Sequence, residues 1–178
     1  MKKTVVIGVT GSIAAYKAAD LCSTLRKEDV SCRVVMSAWA QKFISPLTLT
    51  TLTNHPVITD ENVGEYADRP EHLALGDVAD AYLVAPATAN IIGKMAHGIA
   101  DDIVSTTYLS VTCPVLVAPA MNVRMWDHPV VQENLEILRG RGVTVLDPDE
   151  GLLACGDHGK GRLASTESIL AAVREVLA

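Results

Sequence analysis

The sequence predicts a three-layer α/β fold, a six-stranded parallel sheet between two layers of helices. Three observations carry that expectation. Residues 81–85, Ala-Tyr-Leu-Val-Ala, are a continuous apolar run of the kind a strand buried on both faces requires. Short apolar runs alternate with helix-forming stretches along the chain, six strands in all, and strand–helix alternation calls for parallel strands with right-handed crossovers. The composition is 49% hydrophobic with only 4% aromatic residues, as in a Val-, Ile-, Leu- and Ala-rich doubly wound (Rossmann-like) sheet.

Taken in order, residues 4–9 form the first strand and deliver Gly8-Val9-Thr10-Gly11-Ser12 as a turn, with a helix expected over 13–27. The second strand is 32–36, ended by Ser37. Residues 38–53 read as helical and broken at Pro46. Residues 56–59 are a weak third strand. Residues 61–71 are charged and hold Gly64 and Pro70, which suits an exposed loop or lid, and 72–77 suit a short helical turn. The central strand is expected to stop at Pro86, which has no N–H for the ladder, and a helix to start near Asn90. The fifth strand is 115–118 and the sixth 143–146. A final helix over 166–177 has Ser165 as its N-cap and Glu167 in its first turn.

At 178 residues the chain is expected to form one domain over 1–178, burying about 70% of its unfolded surface. A net charge of −6 argues against nucleic acid or an anionic membrane as partner. The first apolar run is broken by Gly8 and Gly11, and no run approaches the length of a membrane span, so a cytoplasmic protein is expected. Cys22, Cys32, Cys113 and Cys155 include no close pair, which indicates neither a zinc site nor a disulfide framework.

Ligands of open α/β sheets sit outside the carboxyl ends of the strands. There the chain places Ser12, Ser37, Thr88 and Asn90. The G-x-G-x-x-G spacing of a dinucleotide site is absent, and the second strand ends in Met36-Ser37 rather than in an acid for a ribose. Small hydroxyl and amide groups with helix N-terminal N–H groups can hold a single phosphate, which points to a mononucleotide such as FMN. Each of these residues alone also suits a turn or an N-cap. After the fifth strand, Met121, Met125 and Trp126 suggest an apolar wall, and Asn122 offers an amide to a carboxylate or a cap to the next helix. Residues 151–162 hold four glycines, too many for a packed element, and read as a mobile closing loop. Cys155 lies in it, the one thiol outside a regular element or its flank. His72 is placed between the charged loop and the central strand, beside the crevice. His55 precedes Pro56 in a turn, His97 ends a helix, and His128 and His158 fall in polar loops.

Four motifs occur in order: Gly11-Ser12-Ile13-Ala14-Ala15-Tyr16-Lys17, Pro86-Ala87-Thr88-Ala89-Asn90, Pro119-Ala120-Met121-Asn122 with Met125-Trp126, and Gly151 with Ala154-Cys155-Gly156. Together they resemble the homo-oligomeric flavin-containing cysteine decarboxylases, over about residues 4–165. Within that family they are most similar to the branch acting on 4′-phosphopantothenoylcysteine in coenzyme A biosynthesis. The central motif departs from the commoner form, with Thr88 for Ser, which keeps the hydroxyl, and Ile91 for Thr, which loses one.

The resemblance implies FMN held by Gly11, Ser12 and Ile13, by Ser37, Ala38 and Trp39, by Thr88, Ala89, Asn90 and Ile91, and by Ala120. It makes His72 the base, Asn122 the ligand of the substrate carboxylate with Met125 beside it, and Cys155 the proton donor. Leu152, Leu153 and Ala154 would close over the substrate. It implies oxidation of the cysteinyl Cβ–S end to a thioaldehyde, loss of CO2 to an ene-thiol, and return of the hydride with a proton from Cys155. It also implies a trimer or dodecamer with FMN sites between subunits. The phosphopantothenate–cysteine ligase that makes the substrate is expected either fused to the chain or separate from it. Decarboxylation of a peptide's carboxy-terminal cysteine shares the Asn and flavin motifs and stays open. A non-catalytic flavin-binding subunit is the reading from another class, and His72, Asn122 and Cys155 speak against it.

Overall fold

The computed structural model describes residues 2–65, 68–154 and 156–178. The expected sheet is present. Strands β1 (Thr4–Val9), β2 (Ser31–Met36), β3 (Val57–Thr59), β4 (Ala81–Ala87), β5 (Val115–Pro119) and β6 (Thr144–Val145) lie in the order β3-β2-β1-β4-β5-β6, and every neighbouring pair is parallel. The chain winds outward one way from β1 and the other way from β4. The crevice between those two strand ends is therefore the topological switch point, where ligands of such sheets bind.

Helices α1 (Ala18–Lys27), α2 (Pro46–Thr53) and α8 (Thr166–Leu177) cover one face, against Val5, Ile7 and Val9 of β1. Helices α3 (Glu71–Val78), α4 (Ala89–His97), α5 (Ile103–Ser110) and α7 (Pro129–Gly140) cover the other, with the short α6 (Val123–Trp126) beside them. β4 is buried along its whole length, as its unbroken apolar sequence requires. Tyr82 is its one polar side chain, and the phenol donates to the Val104 carbonyl at 2.8 Å. Among the described residues no helix is long and apolar enough to cross a membrane, and no three acidic, His or Cys side chains group as metal ligands.

Several elements differ from the sequence expectation. Pro86 does not end β4, which runs on to Ala87 with a cis Ala85–Pro86 peptide. The β4–β5 register shifts between Val84 and Ala87, so the proline sits at an irregularity, where sheets tolerate one. Residues 13–27 divide into a 3-10 turn, Ile13–Lys17, and then α1. Pro46 begins α2 instead of breaking a helix, because its fixed φ and missing N–H suit a first helical turn that Ser45 caps. The segment after β3 is tied down: Gly64 N–H donates to the buried Glu71 carboxylate, and Asn62 bonds Val57 and Thr59. The glycine-rich stretch is a two-stranded antiparallel hairpin, β7 (Asp149–Leu152) and β8 (His158–Arg162), and His158 lies in it.

Candidate functional site

A cavity of about 540 Å³ opens at the carboxyl ends of β1, β4 and β5, a volume within the usual range for small-molecule sites. Gly11, Ser12, Ile13 and Lys17 enter it from the turn after β1, and Thr88 and Ala89 from the turn after β4. Ala120, Met121, Asn122 and Met125 follow β5, and Leu152, Leu153, Ala154 and Arg162 come from the hairpin.

Each turn is shaped by a cap. Ser12 Oγ accepts from Ala14 N–H at 3.3 Å, and Thr88 Oγ1 accepts from Ile91 N–H at 3.4 Å, so both hydroxyls sit at helical N-termini with the dipoles directed at the cavity. Thr10, which no local sequence pattern marks, sets their spacing. Its buried Oγ1 donates to the Pro86 carbonyl at 2.6 Å and accepts from Thr88 N–H at 3.1 Å, joining the ends of β1 and β4. Gly11 is required where it stands, since a methyl there would collide with Trp39 Cβ. Hydroxyls and N–H groups at helical N-termini are groups that can hold a phosphate, and apolar walls suit a planar ring system.

Asn122 caps a helix and faces the cavity at once. Its Oδ1 accepts from Arg124 N–H at 2.8 Å and caps α6, its Nδ2 donates to Asp157 at 2.7 Å, and the residue is among those lining the cavity. The hairpin is docked on the same segment: Met121 N–H donates to the Gly161 carbonyl at 2.9 Å. Among the described residues no Asp or Glu lines the cavity, whereas Lys17 and Arg162 do, and neither of these two side chains has an ion-pair or hydrogen-bond partner among them. An anionic ligand suits that charge pattern.

Other expected site residues stand elsewhere. His72 is on α3, where its carbonyl accepts from Ser110 of α5 at 2.9 Å, and it does not line the cavity. Trp126 is buried in the core with the Lys160 ammonium 5.4 Å from its ring centroid, so the two methionines form the wall without it. Ser37 caps the next turn through Ala40 N–H, and Ala38 and Trp39 are exposed, Trp39 beside Gly11. Ile91 buries its side chain in the core, so only its backbone belongs to the α4 cap, and Asn90 is exposed on α4. Cys155 lies outside the described residues. The other thiols are structural, Cys22 and Cys32 buried and Cys113 half-buried. His128 is the N-cap of α7, and His97 meets the buried Asn134 at 2.9 Å.

Lys17, Arg162 and Asp157 join the site without a role expected from sequence. Lys17 closes the 3-10 turn that Ile13 opens, and its place at the end of the Gly11–Lys17 motif is the signal that could have found it. The other two follow a hairpin that the glycine count concealed.

The flavoprotein family model matches residues 1–178. The bifunctional coenzyme A biosynthesis protein CoaBC of Bacillus subtilis is 46% identical over 168 residues, which are 94% of this chain and 41% of that protein. The chain thus spans less than half the length of such bifunctional relatives. A probable phosphopantothenoylcysteine decarboxylase of Streptococcus mutans is 40% identical over 179 residues, covering 99% of this chain and 100% of the relative. Among solved structures, a cysteine-to-serine mutant of PPC decarboxylase complexed with pantothenoylaminoethenethiol superposes with a TM-score of 0.89, 32% identity and 98% coverage of both chains. The FMN-dependent cysteine decarboxylase SpaF gives a TM-score of 0.84 at 34% identity, over 99% of this chain and 98% of that one.

Proposed function

The chain belongs to the flavoprotein family, and on that premise we propose that it is an FMN-dependent decarboxylase converting 4′-phosphopantothenoylcysteine to 4′-phosphopantetheine in coenzyme A biosynthesis. One observation carries the reading: the switch-point cavity is lined by two N-cap residues, Ser12 and Thr88, together with Asn122.

In this reading Ser12, Thr88 and the N–H groups after them hold the FMN phosphate, with Gly11, Ile13, Ala89 and Ala120 against the cofactor. Ser37, Ala38 and Trp39 shape the wall behind Gly11. Bound there, FMN supplies a two-electron acceptor that takes a hydride from the substrate and gives it back, so the net reaction is a carboxy-lyase step. Asn122 binds the cysteinyl carboxylate, and Lys17 and Arg162 take the phosphate at the other end of the substrate. Leu152, Leu153 and Ala154 exclude water, and Cys155 delivers the final proton. Two anionic ends on the substrate match a cavity with two cations and, among the described residues, no acid, and this favours the phosphorylated substrate over a peptide ending in cysteine.

The cavity's described residues include no histidine or carboxylate to act as base, and a second copy supplies His72. The cavity's rim is apolar and open, with Ile13 58%, Tyr16 56% and Leu152 69% exposed. The α3–α5 surface near His72 exposes Leu73, Val78 and Leu109. Two different patches of one chain meeting head to tail close a ring, as in the trimer that the family resemblance implies. A ligase activity, fused or separate, makes the substrate, and the cytoplasm is the setting that goes with this reading.

The test is anaerobic incubation of the FMN-loaded protein with 4′-phosphopantothenoylcysteine or a cysteine-ended peptide, without added reductant, followed by mass spectrometry. Conversion of the first to 4′-phosphopantetheine is the expected result. Decarboxylation of the peptide alone would replace the substrate assignment, and no turnover of either would overturn the function.

A further inference from the structure

Asn122 can bind a carboxylate only if its amide nitrogen, not its oxygen, is presented. The carboxamide is held at both ends: Oδ1 accepts from Arg124 N–H at 2.8 Å, and Nδ2 donates to Asp157 Oδ2 at 2.7 Å. The first contact fixes one end to the start of α6. The second fixes the other end to the hairpin, and the directions of both N–H bonds follow from the two together.

Asp157 is itself well placed to hold. Its carbonyl accepts from Leu153 N–H at 2.7 Å, and Gly156 N–H donates to the Leu153 carbonyl at 2.9 Å, closing the turn that carries it. The hairpin beyond is locked to residue 121 through the Gly161 carbonyl, and a methyl at Gly159 would strike Val123. Asp157 does not line the cavity; it reaches the site through Asn122.

We infer that Asp157 is a positioning residue for carboxylate recognition, setting the orientation in which Asn122 presents its N–H groups to the substrate. The inference rests on the proposed decarboxylase reading, in which Asn122 binds the cysteinyl carboxylate. It assigns the work to an acceptor atom at this position, not to negative charge. A carboxamide at 157 therefore serves, whereas a side chain of similar shape without an acceptor does not.

The experiment compares the FMN-loaded parent, Asp157→Asn, Asp157→Ala and Asp157→Leu by three readouts: KM against kcat for the substrate, the inhibition constant of the product (which has no carboxylate), and the Kd for FMN. Leaving the Asn122 Nδ2 donor without its acceptor predicts a KM about 10- to 100-fold higher in Asp157→Ala and Asp157→Leu. Product inhibition and FMN affinity should stay at the parental values, and Asp157→Asn should remain within about threefold of the parent in KM. Parental KM in the Ala and Leu variants overturns the inference. So does equal weakening of substrate and product, which would mark a merely structural role, and so does an Asn variant as poor as Ala. A parent that turns over no substrate overturns the decarboxylase reading, and this inference with it. A parent that turns over normally beside unaffected variants overturns this inference alone.

Discussion

Thr10 shows how much of this site one hydroxyl holds. It is both donor and acceptor between the ends of β1 and β4, and it is itself buried, with the Pro86 carbonyl buried beside it and the Thr88 N–H at the cavity's edge. Thr10→Val keeps the shape and strands both partners, at a cost of about 1–3 kcal/mol. Chemical denaturation should report that loss, and titration with FMN should show weaker binding because Thr88 is no longer held. Unchanged stability and affinity would remove Thr10 from the account. Residues of this kind explain what was legible in the sequence. Ser12 and Thr88 could be read because N-caps have local chemistry, a hydroxyl just before a helical pattern. Thr10 and Asp157 act on residues 76–78 and 35 positions away, and no local pattern records such a pairing. Chain order puts His72 beside the crevice, and chain order does not tell which neighbour a surface helix faces.

At the scale of elements, composition misled where geometry was special. Four glycines argued against a packed element in 151–162, yet Gly161 is what lets β8 dock. Its φ of +147° and its approach to the Met121 carbonyl both exclude a side chain. Gly161→Ala should undock the hairpin, lowering substrate turnover well below the parental rate while FMN still binds. Limited proteolysis within 150–162 should accelerate, and parental resistance there would show that the hairpin does not depend on this contact. At the opposite end of the sheet, Asp80 clamps β1 to β4. Its carboxylate accepts from Thr4 N–H at 2.8 Å and lies 3.4 Å from Lys3 Nζ, while Asp80 N–H donates to the Thr4 carbonyl. The Thr4 N–H foremost holds this carboxyl below its usual range; burial pushes the other way, and Lys3 adds to the lowering. Folding lowers this pKa, so the carboxylate stabilises the fold above the unfolded value of about 3.9 and loses that contribution as pH falls through the folded value beneath it. Asp80→Asn should therefore cost about 1 kcal/mol at pH 7 and almost nothing near pH 2, read from denaturation midpoints at both pH values. A pH-independent difference would contradict the assignment.

For the whole molecule, parallel pairing and helices on both faces follow from alternation and apolar runs, which are properties of the chain itself, whereas the strand order is read only from the structure. The completed site is not such a property. The cavity opens beside β1, β4 and β5, and His72 stands on α3 outside it, which is why one copy's His72 is placed against another copy's Asn122 in the proposed assembly. The measurement that tests this most directly pairs two defective chains, His72→Ala and Asn122→Ala, each loaded with FMN and inactive alone. After co-refolding in equal amounts, random pairing sets an intact cavity beside an intact His72 in about one site in four, so about a quarter of the parental decarboxylation rate should return. Mixed assemblies that bind FMN and stay inactive would contradict a site shared between copies.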